Sequence, residues 1–159
     1  MRFWDASALI PLCVDQPASP AVRALLQEDA GMVVWWGSVV ECWSALARLR
    51  REGRLSVEEE DRARGVLALL QDAWVEIQPQ EGVRALAGRL VRVHPLRAAD
   101  ALQLAAALVW AGSPAVGEMV VLDRRLWGGG PPGGASDPTR RRPVAHAPAW
   151  VRWAGLGGP

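Results

Sequence analysis

Residues 31–53, GMVVWWGSVVECWSALARLRREG, hold an apolar run from Met32 to Trp36 between two glycines, followed at once by a helical period from Ser38 to Glu52 that Gly53 closes. A short unbroken apolar run bounded by turn residues reads as a strand buried on both faces, and the segment behind it as a helix covering one of them. The same unit recurs on either side. Arg2 to Trp4, Trp74 to Ile77 and Met119 to Leu122 are the other apolar runs. Helical periods cover Pro20 to Glu28, Ser56 to Asp72, Glu81 to Val93 before Pro95, and Arg97 to Ala111 before Gly112 and Pro114. Strands alternating with helices predict an α/β chain, a three-layer α/β/α sandwich around a central parallel sheet of four to five strands.

The chain has 159 residues, half of them hydrophobic, which suits one core. Eighteen basic against seventeen acidic side chains leave a net charge of +1, so no global basic excess coats the surface for nucleic acid and any such site must be local. Cys13 and Cys42 form neither a disulfide framework nor the paired spacing of a zinc site, which fits a reducing cytosol. The opening MRFWDASALIPLCV is interrupted by Asp5 and Pro11, too early for a signal peptide or a membrane span, so a soluble cytoplasmic protein is expected. Every basic residue is Arg, and Lys, Tyr and Asn are missing. That bias points to a GC-rich coding genome and weakens arguments from Arg counts.

Composition shifts after residue 126. The segment 127–159 holds eight of the sixteen Gly and six of the twelve Pro, in runs such as GGGPPGGASDP and TRRRP. Helices and central strands do not tolerate that composition. The expected organisation is therefore a domain over 1–126 and a Gly/Pro/Arg-rich tail over 127–159, flexible or aberrant.

In a parallel α/β sheet, strand C-termini and the N-termini of the following helices share one edge, and ligands bind in the crevice outside it. Four acids fall on that edge. Asp5 ends the first strand and Asp123 ends the run Met119 to Leu122, while Glu41 and Asp100 lie in the first turns of the helices from Ser38 and Arg97. Four converging carboxylates repel one another unless a cation sits among them. Oxygen ligands without His or Cys select Mg²⁺ or Mn²⁺, and zinc is disfavoured because His94 and His146 are the only histidines. Such a metal activates water for phosphodiester hydrolysis. Each acid also has a structural role available: Asp5 as strand terminator, Glu41 as partner of Ser38 in a capping box like that of Ser56 and Glu59, Asp100 against a helix dipole, and Asp123 as cap of a helix from Arg124.

FWDASAL, SVVECWSALARL, HPLRAADALQLAAAL and VVLDRRL together resemble the motif blocks of the PIN-domain family, in particular the VapC-like ribonuclease toxins of type II toxin–antitoxin systems. The resemblance spans residues 1–126 and implies a PIN-like α/β/α fold and a metal-dependent endoribonuclease. It assigns Asp5, Glu41, Asp100 and Asp123 to the family's acidic positions, with Asp5 and Asp100 as direct ligands of Mg²⁺ or Mn²⁺. Ser7 matches the small hydroxyl residue that orients an acid, a water or a phosphate in the family, although it could equally cap a helix beginning near Ala8. Arg97 and Arg124, next to the third and fourth acids, are positioned to approach RNA phosphates. A homodimer and a cognate antitoxin are the partners so implied, with no membrane. The antitoxin contact is expected on the exposed faces of the helices Pro20 to Glu28 and Ser38 to Glu52.

The tail departs from the family pattern. It offers no apolar strand comparable to the others, Pro143 to His146 being confined by its proline to an edge at best, so the last edge strand is expected to be weakened by a reading-frame shift or a diverged extension. The competing reading is a catalytically inactive PIN-fold binding or dimerisation module.

Overall fold

The structure, a computed structural model, describes residues 1–112, 117–122 and 152–153. The elements run β1 (Arg2–Trp4), α1 (Ala6–Cys13), α2 (Ser19–Glu28), β2 (Met32–Trp35), α3 (Ser38–Arg51), α4 (Val57–Gln71), β3 (Val75–Ile77), α5 (Glu81–Val93), α6 (Ala98–Ala111), β4 (Glu118–Val120) and β5 (Arg152–Trp153). All strand pairs are parallel, in the order β3-β2-β1-β4-β5. The expected α/β/α sandwich is thus present.

Strand alternation sorts the core into two halves. Trp4, Met32, Val34 and Val120 face one side, where they pack against Leu9 of α1, Val22 of α2, Cys42 and Leu46 of α3 and Leu67 of α4. Phe3, Val33, Trp35 and Met119 face the other, against Val83 of α5 and Ala101, Ala105 and Ala106 of α6. Helices α1 to α4 therefore cover one face of the sheet and α5 and α6 the other.

From β1 the chain steps outward through β2 to β3, then crosses back to place β4 on the opposite side of β1. The point of reversal lies between β1 and β4, where the connections leave in opposite directions and open a crevice at the strand C-termini. Arg2 braces the other end of this pair, its Nε donating to Glu118 at 2.8 Å.

Three details differ from the sequence reading. Helix α1, offered by the sequence as a helix from near Ala8 capped by Ser7, starts two residues earlier at Ala6 with Asp5 as its cap, and carries Pro11 and no charged residue. The expected capping box at Ser38 does not form: Gly37 is the N-cap of α3, without a side-chain cap bond, and Ser38 is the first helical residue. The box at Ser56 does form, Glu59 accepting the Ser56 N–H at 2.7 Å and Ser56 Oγ the Glu59 N–H at 3.1 Å. On the β4 edge, β5 pairs Arg152 with Glu118 and Trp153 with Met119. The edge strand expected to be weakened is therefore present as two residues, and main-chain pairing rather than an apolar pattern defines it. The rest of 127–159, including Pro143 to His146, lies outside the described residues.

Candidate active site

Asp5 leaves β1 at the point of reversal and becomes the N-cap of α1. Its residue is 4% exposed, its N–H donates to the Val120 carbonyl of β4 at 3.0 Å, and both carboxylate oxygens are held. Oδ2 accepts the Ser7 N–H at 2.8 Å and the Ser7 hydroxyl; Oδ1 accepts Gln103 Nε2 at 3.0 Å. A buried carboxylate is tolerable on these terms, because charge-assisted hydrogen bonds replace the water it lost.

Ser7 is not the helix cap that its position allowed, since Asp5 occupies the cap and Ser7 sits within α1. Its Oγ instead donates to Asp5 and accepts the Leu122 N–H at 2.9 Å. One hydroxyl so bridges the crevice between the end of β1 and the segment after β4. The next residue, Asp123, lies outside the described residues, as does Arg124.

Glu41 sits in the first turn of α3, half-buried. Without the Ser38 box it has no capping duty. Its carboxyl is pushed up from 4.5 to about 7, first by burial and then by the negative charges of Asp5 and Asp100. Those two causes place the three acids in one electrostatic neighbourhood although 95 positions separate Asp5 from Asp100.

Asp100, in the first turn of α6, accepts the Arg97 N–H at Oδ2 at 3.2 Å, a capping contact that the sequence reading did not name. Arg97 is exposed at the helix start, one turn before Asp100. The N-termini of α3 and α6 both open on this rim, and their free N–H groups favour anions there.

Among the described residues, no three of the Asp, Glu, His and Cys side chains gather closely enough to form a ready cation cage. Asp5 is turned to Ser7 and Gln103, and Asp100 to its own helix terminus. The donor chemistry nevertheless fits a hard divalent cation: three carboxylates with a repulsion already expressed at Glu41, while the neighbouring Cys42 thiol is buried in the core and donates to the Ala6 carbonyl.

Two residues of the site escaped the sequence reading. Gln103 and Ser38, 1% and 0% exposed, form a buried hydrogen-bonded pair behind Asp5. The available signal was a lone amide one turn past Asp100 within the Ala/Leu-rich run ALQLAAAL.

No family model matches the sequence. Ribonuclease VapC45 of Mycobacterium tuberculosis (strain CDC 1551 / Oshkosh) is 34% identical over 128 residues, covering 78% of this chain and 85% of its own. The crystal structure of M. tuberculosis VapC20, described as a sarcin-ricin loop cleaving toxin, superposes with a TM-score of 0.59 at 15% identity, over 79% of this chain and 92% of that one. A toxin-antitoxin complex from Klebsiella pneumoniae gives 0.56 at 16% identity, over 80% and 90%. At such identities the two structures speak for the fold.

Proposed function

Since the chain belongs to the VapC family of endoribonuclease toxins, we propose that it hydrolyses RNA phosphodiester bonds with Mg²⁺ or Mn²⁺ held by Asp5, Glu41, Asp100 and Asp123. The observation that carries this reading is the Glu41 carboxyl, raised to about 7 by burial and by Asp5 and Asp100. Negative charge gathered at the point of strand reversal and left partly unneutralised is what a cation site requires.

When bound, the cation supplies an activated water and positive charge beside the scissile phosphate. The protein's own part is positional. Ser7 holds the Oδ2 of Asp5, Glu41 gives up a proton near neutrality to become an anionic ligand, and Asp100 stands at the mouth of α6. The N-termini of α3 and α6 favour the RNA phosphate on the same rim. Exposed Arg97 is assigned to a flanking phosphate, and Arg124 to another by its place beside Asp123.

An antitoxin is the partner in keeping with the family, and its contact is assigned to the outer faces of α2 and α3, where Val40 and Trp43 are exposed. A homodimer and a cytoplasmic location complete the reading. Among the described residues no helix is long and apolar enough to cross a membrane.

The test is cleavage of a total-RNA pool by purified protein in Mn²⁺ and in EDTA, with Asp100→Asn alongside. Cleavage that needs both metal and Asp100 is expected. Equal cleavage by Asp100→Asn overturns the site, and absence of cleavage by a folded, Mn²⁺-binding chain assigns it instead to an inactive PIN-fold module.

A further inference from the structure

A buried hydrogen-bond relay joins the three elements that carry the described acids. Ser38, at the start of α3, donates from Oγ to Gln103 Oε1 at 3.2 Å. Gln103, on α6, donates from Nε2 to Asp5 Oδ1 at 3.0 Å. The relay has one direction. A carboxylate only accepts, so the Gln103 NH₂ turns toward Asp5 and its carbonyl toward Ser38, whose hydroxyl must then donate.

The surroundings make this amide costly without a task. Its buried neighbours on α6 include Ala101, Ala105, Ala106 and Ala107, and an apolar side chain would fill the space without polar atoms to satisfy. Ser38 lies three residues before Glu41 and Gln103 three after Asp100, so the relay ties the helix turns bearing those acids to the end of β1.

We propose that Gln103, oriented by Ser38, is a positioning residue of the cleavage site: it fixes the Asp5 carboxylate and sets α3 and α6 in register, so that Glu41 and Asp100 stand where the cation needs them. Neither residue touches RNA or the reacting atoms. The inference rests on the reading of Asp5, Glu41 and Asp100 as the metal-binding acids.

Gln103→Leu, Ser38→Ala, the double variant and Asp5→Asn are compared in the full chain. The readouts are Mn²⁺ affinity by calorimetry, cleavage of total RNA, and the urea midpoint in EDTA. Residues that orient metal ligands typically change affinity or activity by about 10- to 100-fold, and Gln103→Leu is expected to lose that much in both. Ser38→Ala shows a smaller loss of the same kind, and the double variant loses no more than Gln103→Leu alone, because the two act as one unit. Should Gln103→Leu fail to fold, Ser38→Ala carries the same readouts.

A merely structural pair would lower the urea midpoint and leave Mn²⁺ affinity and cleavage by the folded protein unchanged. The proposal is overturned if the folded variants bind Mn²⁺ and cleave within about twofold of the parent while Asp5→Asn does neither. Parental cleavage and Mn²⁺ binding by Asp5→Asn would instead remove the site reading, and the positioning role with it.

Discussion

Replacing Glu41 by Gln should make the metal-free protein more stable above neutrality, and by an amount that depends on pH. The Glu41 carboxyl ionises at about 7 in the folded chain against 4.5 for a free carboxyl. Below pH 4.5 it is protonated in both states and costs nothing. Between 4.5 and 7 the unfolded chain releases the proton while the folded chain keeps it, so stability falls as pH rises, and above 7 the full cost is present. At about 1.4 kcal/mol per decade the interval amounts to about 3 kcal/mol, which solvent around a half-buried side chain reduces to about 1.5 kcal/mol. Gln keeps the shape without the charge. Glu41→Gln should therefore match the parent near pH 4.5 and exceed it by about 1.5 kcal/mol at pH 8, roughly 3 to 6 °C in melting temperature for a chain of this size. Thermal melts in EDTA from pH 4.5 to 8.5 measure it. Mn²⁺ at pH 8 should raise the parent's melting temperature more than the variant's, since the cation relieves a repulsion the variant lacks. A variant whose advantage over the parent does not grow between pH 5 and pH 8 would refute the assignment of three interacting acids to this rim.

Two further outcomes test the frame that holds the site. Glu60 is buried on α4 and joined to Arg50 of α3 at 2.6 Å and to Arg64 at 2.7 Å; Glu60→Ala leaves both guanidiniums without this anion and should cost about 2 kcal/mol in urea unfolding, and a loss below about 0.5 kcal/mol would mean the clamp is solvent-screened. Gly37 precedes α3, and a Cβ there would lie 2.6 Å from Trp35 Nε1; Gly37→Ala must displace a nearly buried indole and should cost about 1–3 kcal/mol by thermal melt, with an unchanged melting temperature showing that the ring moves freely.

The order of strands and helices was legible in the sequence because both faces of each central strand are buried. Met32 to Trp35, all buried, must then be apolar throughout, while Trp36 at the end of the same run is an exposed turn residue, and the helices that cover such strands must carry apolar stripes. The rim followed from topology alone: in a parallel sheet, Asp5 at a strand end and Glu41 and Asp100 in first helical turns share one edge whatever their contacts. Local pattern offered a helix near Ala8 but not its start, which Asp5 rather than Ser7 caps, and it did not reveal β5, which exists through pairing with β4.

What Ser38, Ser7 and Gln103 do was decided by tertiary contact. Ser38 with Glu41 has the spacing of a capping box, as Ser56 with Glu59 has, yet only the second forms. Burial makes the difference. Ser56 lies at the surface, where its local partner is the best available. Ser38 is enclosed against α6, where the Gln103 carbonyl needs a donor. Ser7, likewise, turns from helix capping to bridging Asp5 and Leu122 once β4 is laid beside β1. A sequence determines which residues can donate and accept and which faces must be buried; which donor meets which acceptor is settled only when segments distant in the chain are brought into contact, because an unpaired buried polar group costs more than a local motif returns.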